Sequence, residues 1–340
     1  MLRFATPPRA HGAVPKNRSL PRRRPAGAAT RARMRVLAGG LLLACFSAAP
    51  AVAQDAVQPT GPVEKVQGDF AFTEGPAWSP EGILYFTDIP QNTIFQMEPD
   101  GKISTFVEPS GHANGLLIGK QGRLLACQMD GQLVAYDRDS QAVTVLAATY
   151  QGKRFNAPND LVQDGEGGIY FTDPLFRAPE PLPQGVQAVY YLPPDGKVQR
   201  VTGGLPAPNG IGLSPAGKRL YVIPSRSSEM LVYPVEAPGK LGEADVFCHL
   251  QQPTGKENTG GDGMAMDQRG NLYITSGIGV QIFDPEGTML GNIEFPEQPA
   301  NVTFGGPAGK TLYVTARQGL YRVAMPIAGW QGAETSPRKP

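Results

Sequence analysis

Six positions in this sequence carry an oxygen-bearing side chain at the same point of a repeated pattern: Glu74, Asn114, Asn159, Asn209, Asp262 and Asn301. Glu74, Asn114, Asn209 and Asp262 are each followed by Gly, Asn159 by Asp160, and Asn301 by Val302. Brought to one point, these carboxylates and carboxamides would form a set of hard oxygens. Such a set suits Ca²⁺, which takes its ligands from carboxylates, amides and water. Taken singly the signals are weak. An isolated Asn-Gly is more often a turn, Glu74 alone reads as a loop acid, and Asp262 alone as a turn former. The shared register reverses that weighting, and in the fifth copy Asp267 already fills the turn position. The three histidines do not cluster and no Cys-x-x-Cys spacing occurs, so a zinc site of His and Cys is not expected.

Each opening residue is followed by an apolar strand, a tight turn and a second apolar strand. In the fourth copy these are Asn209-Gly-Ile-Gly-Leu, Ser214-Pro-Ala-Gly-Lys and Arg219-Leu-Tyr-Val-Ile. The fifth copy runs Asp262-Gly-Met-Ala-Met, Asp267-Gln-Arg-Gly-Asn and Leu272-Tyr-Ile-Thr. The openings recur at intervals of about 40 to 53 residues, the period of propeller blades. The expected fold is therefore all-β: a six-bladed β-propeller over residues 63–327, with a central metal site. Each opening residue should start an innermost strand beside the axis. Val63–Phe72 is expected to be the outer strand of the last blade, closing the ring so that no sheet edge is left open. Asp88 and Asp173, each after Phe-Thr, are expected to bind backbone amides rather than metal. Trp78 and the Tyr-Phe pairs read as blade core. His112 reads as an exposed loop histidine near the axis, and Pro174–Gly185 as a rim loop.

The chain has 340 residues with 42 Gly and 34 Pro, which suits a turn-rich β protein. Of its 31 basic residues ten lie before residue 54, where there is no acid, so the rest sets 21 basic against 30 acidic residues. An acidic body excludes nucleic acid as the expected partner. Residues 1–53 read as an N-terminal signal region. Met34 opens a basic start followed by a short apolar run, and Ala51-Val52-Ala53 is a small-x-small cleavage site, so translation is expected to start at Met34. The apolar run is short of the ~20 residues a span needs, so no membrane span is expected in the mature protein. A secreted or periplasmic location follows; lipid attachment at Cys45 is the lesser alternative. Residues 54–62 read as a linker and 328–340 as a tail. Pairing of Cys127 with Cys248 stays open, as does the oligomeric state.

From about Gly68 to Ala324 the chain resembles the gluconolactonase–regucalcin family, also called the senescence marker protein family. The resemblance rests on Glu74-Gly-Pro-Ala-Trp78, Ala113-Asn-Gly-Leu116, Arg154-Phe-Asn-Ala-Pro-Asn-Asp160, Tyr170-Phe-Thr-Asp-Pro174, Pro208-Asn-Gly-Ile211, Gly261-Asp-Gly-Met264 and Pro299-Ala-Asn-Val-Thr-Phe304, in order through all six units. It implies one divalent cation in the axial channel, most commonly Ca²⁺, with Mg²⁺, Mn²⁺ or Zn²⁺ as substitutes. It implies hydrolysis of sugar lactones, a small-molecule substrate. The family's metal ligands fall on Glu74, Asn209 and Asp262, with Asn159 contacting metal or substrate. Its catalytic carboxylate falls on Asp262, which would act as base toward water, with Glu74 the second candidate. Asn114 and Asn159 would then support the oxyanion. The substrate-side arginine corresponds to Arg154, although here it stands five residues before Asn159 rather than two. Many bacterial relatives carry Cys-Glu-His where this chain has Cys127-Gln128-Met129. Two alternatives accompany this expectation: a broader lactonase or phosphotriesterase on the same site, and a non-catalytic ligand-binding propeller.

Overall fold

The computed structural model of the chain describes residues 56–332. The expected signal region, the start at Met34, the cleavage site at Ala53 and Cys45 lie outside the described residues. Among the described residues no helix is long and apolar enough to cross a membrane.

Among the described residues six antiparallel blade sheets form, most of them simple meanders, together with a small two-stranded sheet of Thr149–Tyr150 and Lys153–Arg154. The innermost strands of the blades begin or lie at the six openings: Thr73–Trp78, Ala113–Ile118, Leu161–Gln163, Pro208–Leu213, Met264–Met266 and Pro299–Gly305. Each of these strands touches the next, and the sixth touches the first, so the blades close into a ring. The sixth blade takes its outer strand, Glu64–Gln67, from the N-terminal end of the propeller, where it pairs antiparallel with Gly319–Ala324. The expected six-bladed propeller and its closure are both observed. The closing strand is shorter than expected, because Asp69 has φ 71 and the chain turns there toward the axis.

Strand alternation explains why the ring holds. Successive side chains of a strand point to opposite faces, and each blade face meets a different neighbour. In blade one, Tyr85 packs into the cluster shared with blade two, while Leu84 and Phe86 pack into the cluster shared with blade six. In blade three, Tyr170 faces blade four, and Ile169 and Phe171 face blade two. Blade five divides likewise, with Tyr273 toward blade six and Leu272 and Ile274 toward blade four. The apolar core is thus distributed over the six junctions between blades. Each buried Leu or Phe contributes roughly 1.5–3 kcal/mol there. The openings of the inner strands instead carry buried polar side chains.

Near the axis the blades are tied by backbone. Gly115 N donates to Asn159 O at 2.7 Å, Gly210 N to Asp262 O at 2.8 Å and Gly263 N to Ala300 O at 2.8 Å. A Cβ added at Gly210 would lie 2.5 Å from Asp262 O, so glycine is required for this approach. Gly210→Ala should therefore cost about 1–3 kcal/mol, as overpacking does, measured by denaturant unfolding. Unchanged stability would contradict the close approach. A recurring threonine adds a second tie. Thr87, Thr172 and Thr275 hydroxyls donate to Asn114 O, Asn209 O and Ala300 O of the next blade at 3.1, 2.8 and 2.7 Å.

Two expectations are corrected, and one open question is answered. The stretch read as a linker is docked, with Val57 N bonded to Leu290 O at 3.2 Å and Thr60 N to Ala324 O at 2.8 Å. The stretch read as a tail is docked as far as Gln331: Trp330 N donates to Met266 O at 2.7 Å and Gln331 Nε2 to Phe304 O at 2.9 Å. In both cases apolar residues inside polar stretches, Val57 and Trp330, reach blade clusters. Finally, Cys127 and Cys248 are separate buried free thiols, held in different interblade clusters.

Candidate active site on the propeller axis

A local distortion aims the axial side chains. In blades one, two and four the innermost strand sets three residues against two of its neighbour, between Glu74 and Ala77, Ala113 and Leu116, and Pro208 and Ile211. Blade six does the same between Pro299 and Asn301. An extra residue of this kind bends the strand and re-aims a side chain, here into the channel. In blades three and five the opening residue is instead held by its threonine, through Asn159 N to Thr172 O at 2.9 Å and Asp262 N to Thr275 O at 3.1 Å.

Glu74, Asn114, Asn159, Asn209 and Asn301 are all buried, and Asp262 keeps more accessible surface than any of them. Asn209 Nδ2 donates to Asp262 Oδ1 at 2.6 Å. This bond occupies one oxygen of Asp262 and leaves the other uncommitted. Glu74 Oε2 accepts from Gly75 N at 2.9 Å. Asn114 Nδ2 lies 3.9 Å from the Met129 sulfur. Of the expected residues, Glu74, Asn209 and Asp262 are thus brought close to one another, with Asn301 beside Glu74. Arg154 is placed at the rim, where its guanidinium donates to the carbonyls of Phe155, Asn156 and Met129 at 3.0, 3.2 and 3.4 Å.

Asp160 belongs to the set and was not singled out by the repeat. It occupies the place that holds Gly in four other copies, and it is buried with Oδ1 accepting from Leu161 N at 2.9 Å. That break in the glycine pattern was the available signal. Asn301 lies near both Glu74 and Asp160 and favours their charged forms. Asp160 and Asn301 also line a cavity of about 630 Å³ that opens at the opposite end of the channel, past Met264 and Trp330. The axial residues thus stand at two depths.

The electrostatics of the three acids are unfavourable. Burial, and next the charge of Asp262, raises Glu74 well above the ordinary carboxylate range. Burial pushes Asp160 up to about 7, and the Asp262 charge adds to it. Asp262 is also pushed up to about 7 by burial, against the pull of the Asn209 hydrogen bond and the Arg317 charge. Among the described residues, none of the ion pairs within 4 Å involves these acids. Grouped carboxylates without a cationic partner are costly to bury unless something positive joins them. Among the described residues no three His, Cys, Asp or Glu side chains form a metal-holding group by themselves. The donor set is instead mixed, with the carboxylates of Glu74 and Asp262 standing beside the carboxamides of Asn209 and Asn301. Both the chemistry of this set and its surplus of negative charge fit a hard divalent cation.

The other expected roles divide as follows. Asp88 and Asp173 bind backbone amides, Asp88 those of Ala71 and Phe72 at 2.7 and 3.2 Å and Asp173 those of Asn156 and Ala157 at 2.9 and 2.8 Å. His112 is not a lone loop residue, because its Nδ1 lies 3.0 Å from Asp130 Oδ1. At the end of the channel where chains enter the innermost strands, Ile89, Met129 and Ala157 form an apolar patch with Phe72 and Phe176. Phe176 belongs to the expected rim loop.

Comparison with known proteins identifies the family. Residues 72–318 match the description SMP-30/Gluconolactonase/LRE-like region. A gluconolactonase of Zymomonas mobilis is 32% identical over 287 residues, covering 77% of this chain and 81% of the relative. A pentonolactonase of Haloferax volcanii is 31% identical, covering 72% of this chain and 81% of the relative. The structure of a gluconolactonase from Xanthomonas campestris superposes with a TM-score of 0.72 at 28% identity, covering 81% of this chain and 96% of that one. On the family match and the Zymomonas relative together, the chain belongs to the SMP-30/gluconolactonase/LRE-like family.

Proposed function

We propose that this protein hydrolyses sugar lactones at the axial site with the help of a divalent cation, most suitably Ca²⁺. The observation that carries this is the pairing of Asp262 with Asn209 at 2.6 Å, which leaves one carboxylate oxygen uncommitted beside buried Glu74. Lactonases of the same family, at 32% and 31% identity, support the reaction class.

Glu74, Asn209 and Asp262 would hold the cation, with Asn159 as a further oxygen donor. Bound there, a divalent cation supplies Lewis acidity toward the ring carbonyl. Asp262 does the proton work. Its uncommitted oxygen accepts a proton from the attacking water as the water oxygen bonds to the carbonyl carbon. Asn209 fixes the carboxylate plane through Oδ1. Asn114 and Asn159 present carboxamide N–H groups to the oxyanion that develops. When the intermediate collapses, the ring C–O bond breaks and the alkoxide takes the proton held on Asp262. The products are a hydroxyl and a carboxylic acid, which releases its proton to solvent to become the carboxylate; the net chemistry adds one water. The apolar patch at Met129, Phe72 and Phe176 limits competing water at this end of the channel.

The test is hydrolysis of glucono-δ-lactone and a panel of other sugar lactones by the purified chain, corrected for spontaneous opening. EDTA should abolish the enzymatic rate, and Ca²⁺, Mg²⁺, Mn²⁺ or Zn²⁺ should restore it to different degrees. A folded, Ca²⁺-binding protein with no turnover on the whole panel would sink the proposal. Export to the periplasm or outside the cell is proposed on the same footing, from the signal-like segment ending at Ala53. N-terminal sequencing of the protein from cells would decide it.

A further inference from the structure

Arg317 is a cation at the channel mouth that the proposed chemistry does not use. It lies in the turn between the second and third strands of blade six, Thr311–Ala316 and Gly319–Ala324. By strand direction, this is the same end of the channel at which Met129 and Phe176 form the apolar patch. The turn is pinned to blade one: the Arg317 carbonyl accepts from Thr73 N at 2.7 Å and from Thr73 Oγ1 at 3.2 Å, and Thr73 precedes Glu74. Arg317 takes φ 48, an uncommon backbone for a residue with a Cβ. Its guanidinium lies over the Phe72 ring, 5.4 Å from the centroid.

The polar partners of this guanidinium leave its charge available. Nη2 donates to the neutral Gln298 amide oxygen at 2.7 Å. None of the ion pairs within 4 Å among the described residues involves Arg317. Its charge is nevertheless felt at Asp262. The side chain is exposed, so it can meet a molecule entering or leaving the channel. Arginine rather than lysine suits this task, because its planar fork matches a carboxylate with two parallel hydrogen bonds.

We propose that Arg317 binds the carboxylate released by ring opening, making the hydroxy-acid product a ligand of the mouth. This rests on the lactonase reading for the origin of the carboxylate. The consequence is inhibition by product. A neutral polyol of the same length should gain nothing from the guanidinium.

The test is calorimetric titration of the Ca²⁺-loaded full chain with gluconate and, separately, with sorbitol. Wild type should bind gluconate more tightly than sorbitol. Arg317→Gln should weaken gluconate binding on the order of tenfold, as expected for losing one charge-assisted pair, and leave sorbitol unaffected. Arg317→Lys should recover part of the loss, since it keeps the charge but not the fork. In lactone assays the gluconate inhibition constant should rise in parallel. Equal gluconate affinity in wild type and Arg317→Gln would overturn the proposal, as would a wild type that binds no gluconate. Gluconate binding that depends on Arg317 in a protein with no lactone turnover would support the carboxylate site while removing the lactonase reading.

Discussion

Asp262→Asn folds normally, and its turnover of the best lactone falls by about 10²–10⁴-fold at saturating metal, the usual contribution of a positioned base. The substitution keeps the shape of the side chain and one carbonyl oxygen. That oxygen can still accept from Asn209 Nδ2, which now sits 2.6 Å from Asp262 Oδ1. The backbone ties around it, Asp262 N to Thr275 O and Gly210 N to Asp262 O, do not involve the side chain. The propeller therefore has no reason to change, and thermal unfolding should confirm that. What is lost is the uncommitted oxygen with its capacity to take a proton, together with one negative charge beside Glu74. Measuring kcat over a metal titration separates the two. A rate restored by excess metal means that Asp262 serves mainly as a ligand. A rate that stays low at saturation assigns the proton transfer to Asp262. Near-normal kcat without added metal would remove Asp262 from the mechanism.

Glu74→Gln should abolish the response of stability to metal while making the metal-free protein no less stable. Glu74 is buried, is repelled by Asp262 and Asp160, and accepts a hydrogen bond from Gly75 N. A neutral carboxamide of the same size keeps an acceptor for Gly75 N and ends the repulsion. In EDTA the variant should unfold at or above the wild-type temperature. With Ca²⁺ the wild type should gain, by linkage, about 2.7 kcal/mol at a free concentration one hundred times Kd. The variant should gain little and turn over little. Thermal unfolding at several Ca²⁺ concentrations reads both effects. An equal Ca²⁺-dependent gain in wild type and variant would show that the cation binds elsewhere. A variant much less stable than wild type in EDTA would show instead that the Glu74 carboxylate has a structural partner.

The blades, their order and the phase of the inner strands are legible in the amino-acid sequence alone. This is because a propeller converts a one-dimensional period into a ring: residues at one phase of the repeat come to the inner strands around the axis. Glu74, Asn114, Asn159, Asn209, Asp262 and Asn301 were legible for that reason, and so was closure by a strand near Glu64. Local chemistry was legible as well. Asp88 and Asp173 bind nearby amides, and Asp267 fixes its own turn through Arg269 N and Asn271 N.

Tertiary structure decided what depends on direction rather than phase. The repeat does not say which side chain of Asn159-Asp160 turns inward, because that follows from packing against Gly115 of the neighbouring blade, where an added Cβ would meet Asp160 Oδ1 at 2.5 Å. Nor does it say that Asp160 and Asn301 face a cavity at the far end while Asp262 pairs with Asn209. Arg317 lies between strands of the last blade, far in sequence from Thr73, and reaches the mouth because ring closure sets those two residues together. Val57 and Trp330 dock for a related reason: a closed ring offers apolar clusters to chain segments that no local pattern links to them.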